Sequence, residues 1–509
     1  MNHQQKKIIK LVLPLLVSLV WFGLGRTPVV LAMTPAVEAY PNVKIAAIMV
    51  TFSDHPAAPT ADDHSGPWTK PYLDGVLFTN PNSMAAYFAR ESAGAMSVSG
   101  DVYDHNGAWY TVDRPIADGD SCNWNTFFPA VMTAADADID FSRYNAIMIF
   151  TPQYTCDSGG LATTYSNVPD TGGQTYHLAI INGTLNTYPH HELGHIIGWG
   201  HANSWQCDPP GVLTGTNCRM VEYGDRYGLM GASSRMLSLP APLKEHLGWL
   251  QPSEITTVSA SGGYKINMYE QTGTGPKVLK IPQARDPAGN VTSWYYLEYR
   301  QPVGFDNVPN KPTLQELGVP NGILVHLGPV TDESMTTTLL DMTPGSSPGG
   351  RDIFEPALPT GFAYTDKTAG VGFGAVSRTS TTITIRVKFG AKSLCVRHAP
   401  SITTKAIKGS GRPGQQLRYT VTVKNRDVLC GRRSIELRTI SKPVGWTTLI
   451  NKKTAASAVI ISGASATFDV RITSSKQAVR KTYNVVLEAR HKAAPTIKTR
   501  TTLKPAVTR

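Results

Sequence analysis

The stretch from His191 to His201, H-E-L-G-H-I-I-G-W-G-H, constrains this chain more than any other. His191 and His195 are four residues apart, so on a helix both imidazoles leave the same face and can meet one metal ion. Glu192 lies beside them, placed to take a proton from a water on that ion. In a straight helix His201 would lie about 15 Å along the axis from His191. Two nitrogens on one ion at about 2.0 Å each can be no more than about 4 Å apart. For His201 to join the pair, the helix must end soon after His195 and the chain must turn back. Gly198 is where it can, because glycine takes the left-handed helix-ending conformation at little cost. Three histidine ligands leave a fourth position open to water, the arrangement of a reactive and not a closed structural site. A lone H-E-x-x-H also arises on ordinary helices; the glycine and the third histidine move the reading to a metal. His190 is set off by about 100° around the helix and is expected to pack or meet solvent instead.

The 509 residues are 41% hydrophobic and only 17% charged, with 45 glycines and 36 prolines. That length allows several domains with their own cores, and the composition suits a β-rich extracellular protein. Lys6, Lys7 and Lys10 precede an apolar run from Leu11 to Gly25, and Val30-Leu31-Ala32 offers a small-residue cleavage site. Residues 1–32 have the layout of a secretory signal peptide, with an uncleaved anchor as the rival reading. No later stretch is apolar enough to span a bilayer, so no membrane span is expected in the mature chain. The six cysteines, at 122, 156, 207, 218, 395 and 430, fit disulfides in an oxidising compartment better than a thiolate metal cluster. Sequence spacing favours pairing neighbours: 122 with 156, 207 with 218, and 395 with 430.

Residues 43–250 read as one α/β unit. Val43 to Phe52, Tyr144 to Phe150 and Leu178 to Ile181 are near-continuous apolar runs and are expected as buried strands. Ser83 to Arg90 and Trp124 to Ala135 are expected as helices, and Met96 to Tyr103 and Trp109 to Val112 as strand segments. Pro189 suits the first turn of the helix carrying His191. Residues 251–390 read as a β-sandwich, with strands expected over Ser293 to Arg300, Gly322 to Leu327 and Thr381 to Phe389. No helix is expected from Ile353 to Phe362, because of Pro356 and Pro359. Residues 395–509 read as a further sandwich, with strands over Gln416 to Lys424, Ala466 to Ile472 and Thr482 to Ala489. Asp54, Asp62, Asp63, Asp306, Asp341 and Asp352 are candidate calcium ligands by residue type, with plain surface turns as the alternative. Asn182-Gly183-Thr184 matches a glycosylation pattern.

A second landmark is Tyr223 to Gly231, Y-G-D-R-Y-G-L-M-G, where closely spaced glycines demand tight turning around Met230. H-E-L-G-H-I-I-G-W-G-H resembles the extended zinc motif of the metzincin metallopeptidases, and Y-G-L-M-G resembles their Met-turn. Within that clan the chain is most similar to the gametolysin-like peptidases. The shared pieces are I-M-V-T-F-S-D at 48–54, M-A-A-Y-F-A-R-E-S-A-G at 84–94, Y-G-D-x-x-x-x-M-G and K-x-x-L-G-W-L at 244–250. The resemblance covers about residues 43–390. It implies one catalytic Zn2+ held by His191, His195 and His201, Glu192 as catalytic base, Gly198 as turn glycine and Met230 beneath the metal. It also implies an α/β metzincin-like zinc peptidase domain followed by β-sandwich domains, a multidomain α+β chain. The expected activity is a secreted zinc-dependent endopeptidase acting on a polypeptide substrate. Some metzincins place a tyrosine two residues after the Met-turn methionine. Here that residue is Ala232, leaving Tyr223 or Tyr227 to play a comparable part by another route. The C-terminal part resembles the immunoglobulin-like modules of secreted bacterial enzymes.

Charge is divided unevenly. Residues 401–509 hold 22 Lys plus Arg against 4 Asp plus Glu, a balance of +18, so residues 1–400 carry −7 of the whole-chain +11. A segment this basic is drawn to an anionic surface or polysaccharide. No recognition helix, zinc finger or aromatic-studded strand accompanies the charge, which argues against sequence-specific nucleic-acid binding. Two further readings fit the same residues: a zinc hydrolase directed at cell-wall peptides, and a surface-binding or adhesion protein with a structural metal site.

Overall fold

The computed structural model describes residues 42–54, 68–113, 124–151, 160–182, 185, 187–232, 235–271, 273, 275–307, 314, 317–332, 334–346, 352–390 and 393–508. The leader-like segment, Asp62, Asp63, Cys122 and Cys156 lie outside the described residues, as do Gly183 and Thr184 of the glycosylation pattern. Twenty-eight strands and five α-helices are present among the described residues.

The first sheet runs β2-β1-β4-β6-β5, from β1 (Asn42–Phe52), β2 (Ser97–Tyr103), β4 (Ala146–Thr151), β5 (Gly160–Tyr165) and β6 (Tyr176–Asn182), with β3 (Tyr110–Val112) pairing beside β1. β1, β2, β4 and β6 are parallel, and β5 is antiparallel to β6 at the sheet's edge. Both faces of β1 are buried. Ile45, Ala47 and Met49 look towards one apolar layer with Phe88 and Leu193; Ala46, Ile48 and Val50 look towards another with Phe128 and Val131. That two-sided burial is why β1 reads as a continuous apolar run instead of an alternation. The helices are α1 (Lys70–Asp74), α2 (Met84–Glu91), α3 (Trp124–Ala135), α4 (Tyr188–Ile196) and α5 (Ala241–His246).

The chain then passes through β7 (Ala202–Gln206) and β8 (Arg219–Val221), which join an eight-stranded sheet built mainly from later residues. Its other members are β9 (Ile255–Thr257), β11 (Val278–Arg285), β12 (Val291–Glu298), β13 (Gly322–Gly328), β14 (Thr337–Leu340) and β15 (Leu358–Pro359). β7 pairs in parallel with β14, Ala202 opposite Thr337. Facing this sheet is a four-stranded one of β10 (Gly262–Asn267), β16 (Ala363–Asp366), β17 (Val371–Arg378) and β18 (Thr382–Phe389). Leu279, Tyr295 and Leu297 from the first pack with Phe373, Ile383 and Ile385 from the second.

The C-terminal strands are β19 (Ser401–Lys408), β20 (Ser410–Gly411), β21 (Gln416–Lys424), β22 (Arg432–Ser441), β23 (Thr447–Ile450), β24 (Ala455–Ile461), β25 (Ser465–Thr473), β26 (Val485–His491), β27 (Ala494–Leu503) and β28 (Ala506–Val507). They form two four-stranded sheets, β19-β21-β25-β23 and β24-β22-β26-β27, with β20 paired to β28. Val421, Phe468 and Val470 from one pack with Ile435, Leu437 and Leu487 from the other.

The expected class, an α/β metzincin-like zinc peptidase domain followed by β-sandwich domains, is corrected to several β-sheet and sandwich units among the described residues, with no metzincin domain at their head. Strand dominates the described residues, and the chain is a set of β-sheets. The reason lies in pairing. The segment immediately after His201 does not close off an α/β unit but becomes β7 and β8, and β7 takes as its partner β14, more than a hundred residues on. The helices are short, the longest running 12 residues, with Pro129 inside it.

Disulfides join Cys207 to Cys218 and Cys395 to Cys430. Asp306 is not a surface turn: it is buried and paired with Arg300, Oδ2 to Nε at 3.4 Å. Asp341 is buried and accepts from the Thr343 backbone N–H at 2.9 Å.

Candidate metal centre

α4 follows β6 and begins with Pro189 in its first turn. Leu193 turns into the apolar layer beneath the first sheet, leaving His191 and His195 on the cleft-facing side, with Ile196 touching both. The helix ends as the sequence requires. Gly198 has φ +94°, its N–H donates to His195 O at 3.0 Å, and the Trp199 N–H donates to Gly194 O at 2.8 Å. This left-handed stop satisfies two carbonyls that the helix would otherwise leave open. Trp199 is then buried against Phe88 and Trp249, which fixes the direction in which the chain returns to bring His201 back.

The three imidazoles meet. His191 Nε2 lies 3.1 Å from His195 Nε2, which lies 3.2 Å from His201 Nε2. One ligand nitrogen from each lies within 4.8 Å of the others. Each opposite ring nitrogen already has an oxygen: His191 Nδ1 has Leu229 O at 3.2 Å, His195 Nδ1 has Trp199 O at 2.8 Å, and His201 Nδ1 has Glu222 Oε1 at 2.7 Å. If Nδ1–H donates to those oxygens, all three Nε2 atoms present lone pairs to one point. Lone pairs held that close repel one another unless a cation sits between them, and an oxygen partner behind each imidazole is the usual support of a metal ligand. The residues therefore fit a metal ion. Burial, and then the neighbouring His195, holds the His191 pKa down at about 4, and burial lowers that of His195.

Glu192 is buried beside the trio. Its Oε2 has no hydrogen-bond partner, and burial raises its pKa to about 8. A Cβ on Gly160, at the start of β5, would stand 2.4 Å from Glu192 Oε1, so a side chain there would push the Glu192 carboxylate aside. The cleft, about 500 Å³, is lined by β5 from Gly160 to Thr164, His177, the three histidines, Glu192, Ile196 and Tyr223.

Met230 is buried, and its Sδ would lie 2.4 Å from a Cβ on Gly194. The thioether thus occupies the space that a side chain in the middle of α4 would need. Tyr223 stacks over His201 with ring centroids 3.7 Å apart and lines the cleft. Tyr227 does not reach it; its hydroxyl donates to Phe354 O. His190 is fully buried against Tyr87, and burial lowers its pKa to about 3. Gly194, Gly160 and Glu222 were not singled out by sequence spacing. For the two glycines the readable signal is a glycine inside a helix and one opening an edge strand; Glu222 is placed by the turn of the chain and leaves no local mark.

The loop holding Glu222, Tyr223, Leu229 and Met230 is fastened from below. Asp225 Oδ2 lies 3.0 Å from His326 Nε2, and Arg300 Nη2 donates to Tyr227 O at 2.6 Å and to Ser238 O at 2.7 Å. Glu298 Oε1 stands 3.0 Å from His326 Nδ1.

No family model matches the chain, and no curated protein matches it. Among solved structures, the sporulation control protein Spo0M of Bacillus subtilis is 16% identical, with 22% of this chain and 50% of that one covered at a TM-score of 0.15. A CARDB domain from Pyrococcus furiosus, in complex with di-metal ions, is 14% identical over 23% of this chain and 95% of that one at a TM-score of 0.16. The adhesin InvE of Yersinia pseudotuberculosis is 12% identical over 36% and 53% at a TM-score of 0.16. Likenesses this small carry no argument.

The reading as a metzincin, gametolysin-like zinc endopeptidase that cuts protein substrates is corrected by these findings. No family model or curated protein supports the resemblance, and strands dominate the described fold. The histidine cluster by itself marks a place for an ion, not a peptidase. What stands is coarser: His191, His195 and His201 form a cluster that could hold a metal ion. No helix among the described residues is long and apolar enough to cross a membrane.

Proposed function

We propose that this is an extracellular surface-binding protein whose basic C-terminal sandwich attaches to anionic polymers, and whose histidine cluster holds one zinc ion. The observation that carries the attachment is the concentration of +18 in residues 401–509 against −7 in the rest of the chain. Charge of one sign gathered on one module draws that module to a polyanion and leaves the rest of the chain clear of it. Zinc is supported by three imidazole donors, each backed by an oxygen at Nδ1. In this reading the ion ties α4 to the returning chain at His201 and stiffens the loop around Tyr223. The test is co-sedimentation of the full chain with an anionic wall polymer at rising salt, with and without zinc. Binding that weakens with salt supports the reading; no binding at low salt overturns it.

A second reading, a zinc hydrolase directed at cell-wall peptides, is favoured by one observation: Glu192, buried and unpartnered at Oε2, faces the same cleft. Zinc there would supply a Lewis acid, and Glu192 would be the catalytic residue that takes the proton of an attacking water. Release of new amino groups from cross-linked wall peptide by the parent, and none by Glu192→Gln with zinc still bound, would establish it. Equal inertness of both proteins, with surface binding intact, would leave the metal structural.

A further inference from the structure

The outer face of the β19-β21-β25-β23 sheet is laid out in rows by the strand pairing. Thr403, Thr422 and Thr467 stand side by side across three strands, and the next row is Lys405, Thr420 and Asp469. Beyond it Lys408, Arg418, Arg471 and Leu449 are in register. These positions alternate with the buried Leu417, Tyr419, Val421 and Val423, so their side chains share the solvent face. Asp469, the one acid in these rows, accepts from Arg418 Nε at 2.6 Å and from Arg471 Nε at 2.7 Å. It therefore aligns two guanidinium groups in place of removing them. Lys405, Lys408 and Lys424 are exposed and have no ion pair among the described residues.

The opposite sheet differs. There Glu488, fully buried, is approached by Arg438, Lys498 and Arg500, and Glu436 holds Arg490. Four of the six Lys and Arg on its strands are thus paired, against two of the five on the first sheet, while Arg432 and Arg433 have no ion pair among the described residues.

Resting on the surface-binding reading, we propose that the face bearing Thr422, Arg418 and Lys405 docks an acidic polysaccharide chain. Free lysines and aligned guanidiniums meet carboxylates, and the row of threonine hydroxyls can both donate to and accept from sugar hydroxyls, whereas a bare polyphosphate offers acceptors only. Strands spaced about 4.8 Å apart set the cations and hydroxyls in a flat array that a linear glycan can follow.

The experiment measures binding of the full chain to alginate, a polyuronate, by calorimetry at low salt, with polyphosphate, duplex DNA and phosphatidylserine vesicles as rival probes. Lys405→Glu/Lys408→Glu/Lys424→Glu should weaken alginate binding about tenfold or more. Lys492→Glu/Lys498→Glu/Lys504→Glu, with the same change in net charge, should leave it within about twofold. Thr422→Val/Thr467→Val should weaken alginate several-fold and polyphosphate less; all variants are checked for an unchanged melting curve. Equal losses from the two lysine sets would overturn the face and reduce the binding to net charge. Tighter binding to polyphosphate, DNA or vesicles than to alginate would overturn the glycan. Failure to bind any of the four would overturn the surface-binding reading along with it.

Discussion

Two groups of histidine chemistry, one part-buried and one fully buried, sit on either side of the loop from Glu222 to Ser238, and they are built in opposite senses. Above it, His191, His195 and His201 aim three Nε2 atoms at one point with neutral oxygens behind two of them. Below it, His326 is enclosed by Asp225 and Glu298, with Arg300 beyond. The upper cluster could hold a cation from outside; the lower one already carries its own in His326. For His326, burial alone would depress the pKa, but Glu298 and Asp225 override it and hold the imidazolium up to about 9. For His191 nothing opposes burial strongly enough, and the pKa falls to about 4. What separates a metal-ligand set from a structural ion network is therefore the placing of carboxylates, not the histidines.

The sharpest way to break this comparison is to truncate one histidine from each group. His326→Ala strands Asp225 and Glu298 as buried unpaired acids and should cost about 3–5 kcal/mol in urea denaturation. His195→Ala in metal-free protein should cost under about 1 kcal/mol, because it relieves crowding between rings. Equal costs would erase the distinction. Zinc supplies the second contrast. At free zinc a thousandfold above Kd the parent should gain about 4 kcal/mol, read as a shift in the denaturation midpoint, and His195→Ala should gain almost none.

A pH series sharpens the lower half. The unfolded imidazole titrates near 6.5 and the folded His326 at about 9. Its stabilisation is thus complete below about pH 6.5 and is lost as the pH rises through about 9, a fall of roughly 3 kcal/mol. A metal-free midpoint that stays flat between those values would contradict the charged state assigned to His326. A smaller loss than that at His326 is expected at Gly194. Gly194→Ala forces Met230 Sδ away from α4 and should cost about 1–3 kcal/mol; a neutral result would mean that the methionine is not wedged there.

Local elements were largely legible in the sequence, and their assembly was not. Trp124–Ala135 and Gln416–Lys424 run over the residues that patterning indicated, and the strand expected from Val43 begins one residue earlier. Proximity of the three histidines could be argued from helix rise and one glycine, because all the constraints lie within eleven residues. The union of β7 with β14, by contrast, depends on Ala202 meeting Thr337, and nothing local to either announces it. The same is true of Asp225 with His326 and of Asp306 with Arg300. Asp306 looked like a turn or calcium residue because its neighbours are glycine and proline, and only the fold reveals that an arginine is its partner. The peptidase reading went astray in a related way, by extending a short and specific motif to the architecture of the whole chain.

Calorimetric titration of the metal-free full chain with zinc tests the account most directly. The prediction is one equivalent bound by the parent and by Glu192→Gln, and none by His195→Ala at the same concentrations. A folded parent that takes up no zinc, or a His195→Ala variant that binds it as well as the parent, would contradict it.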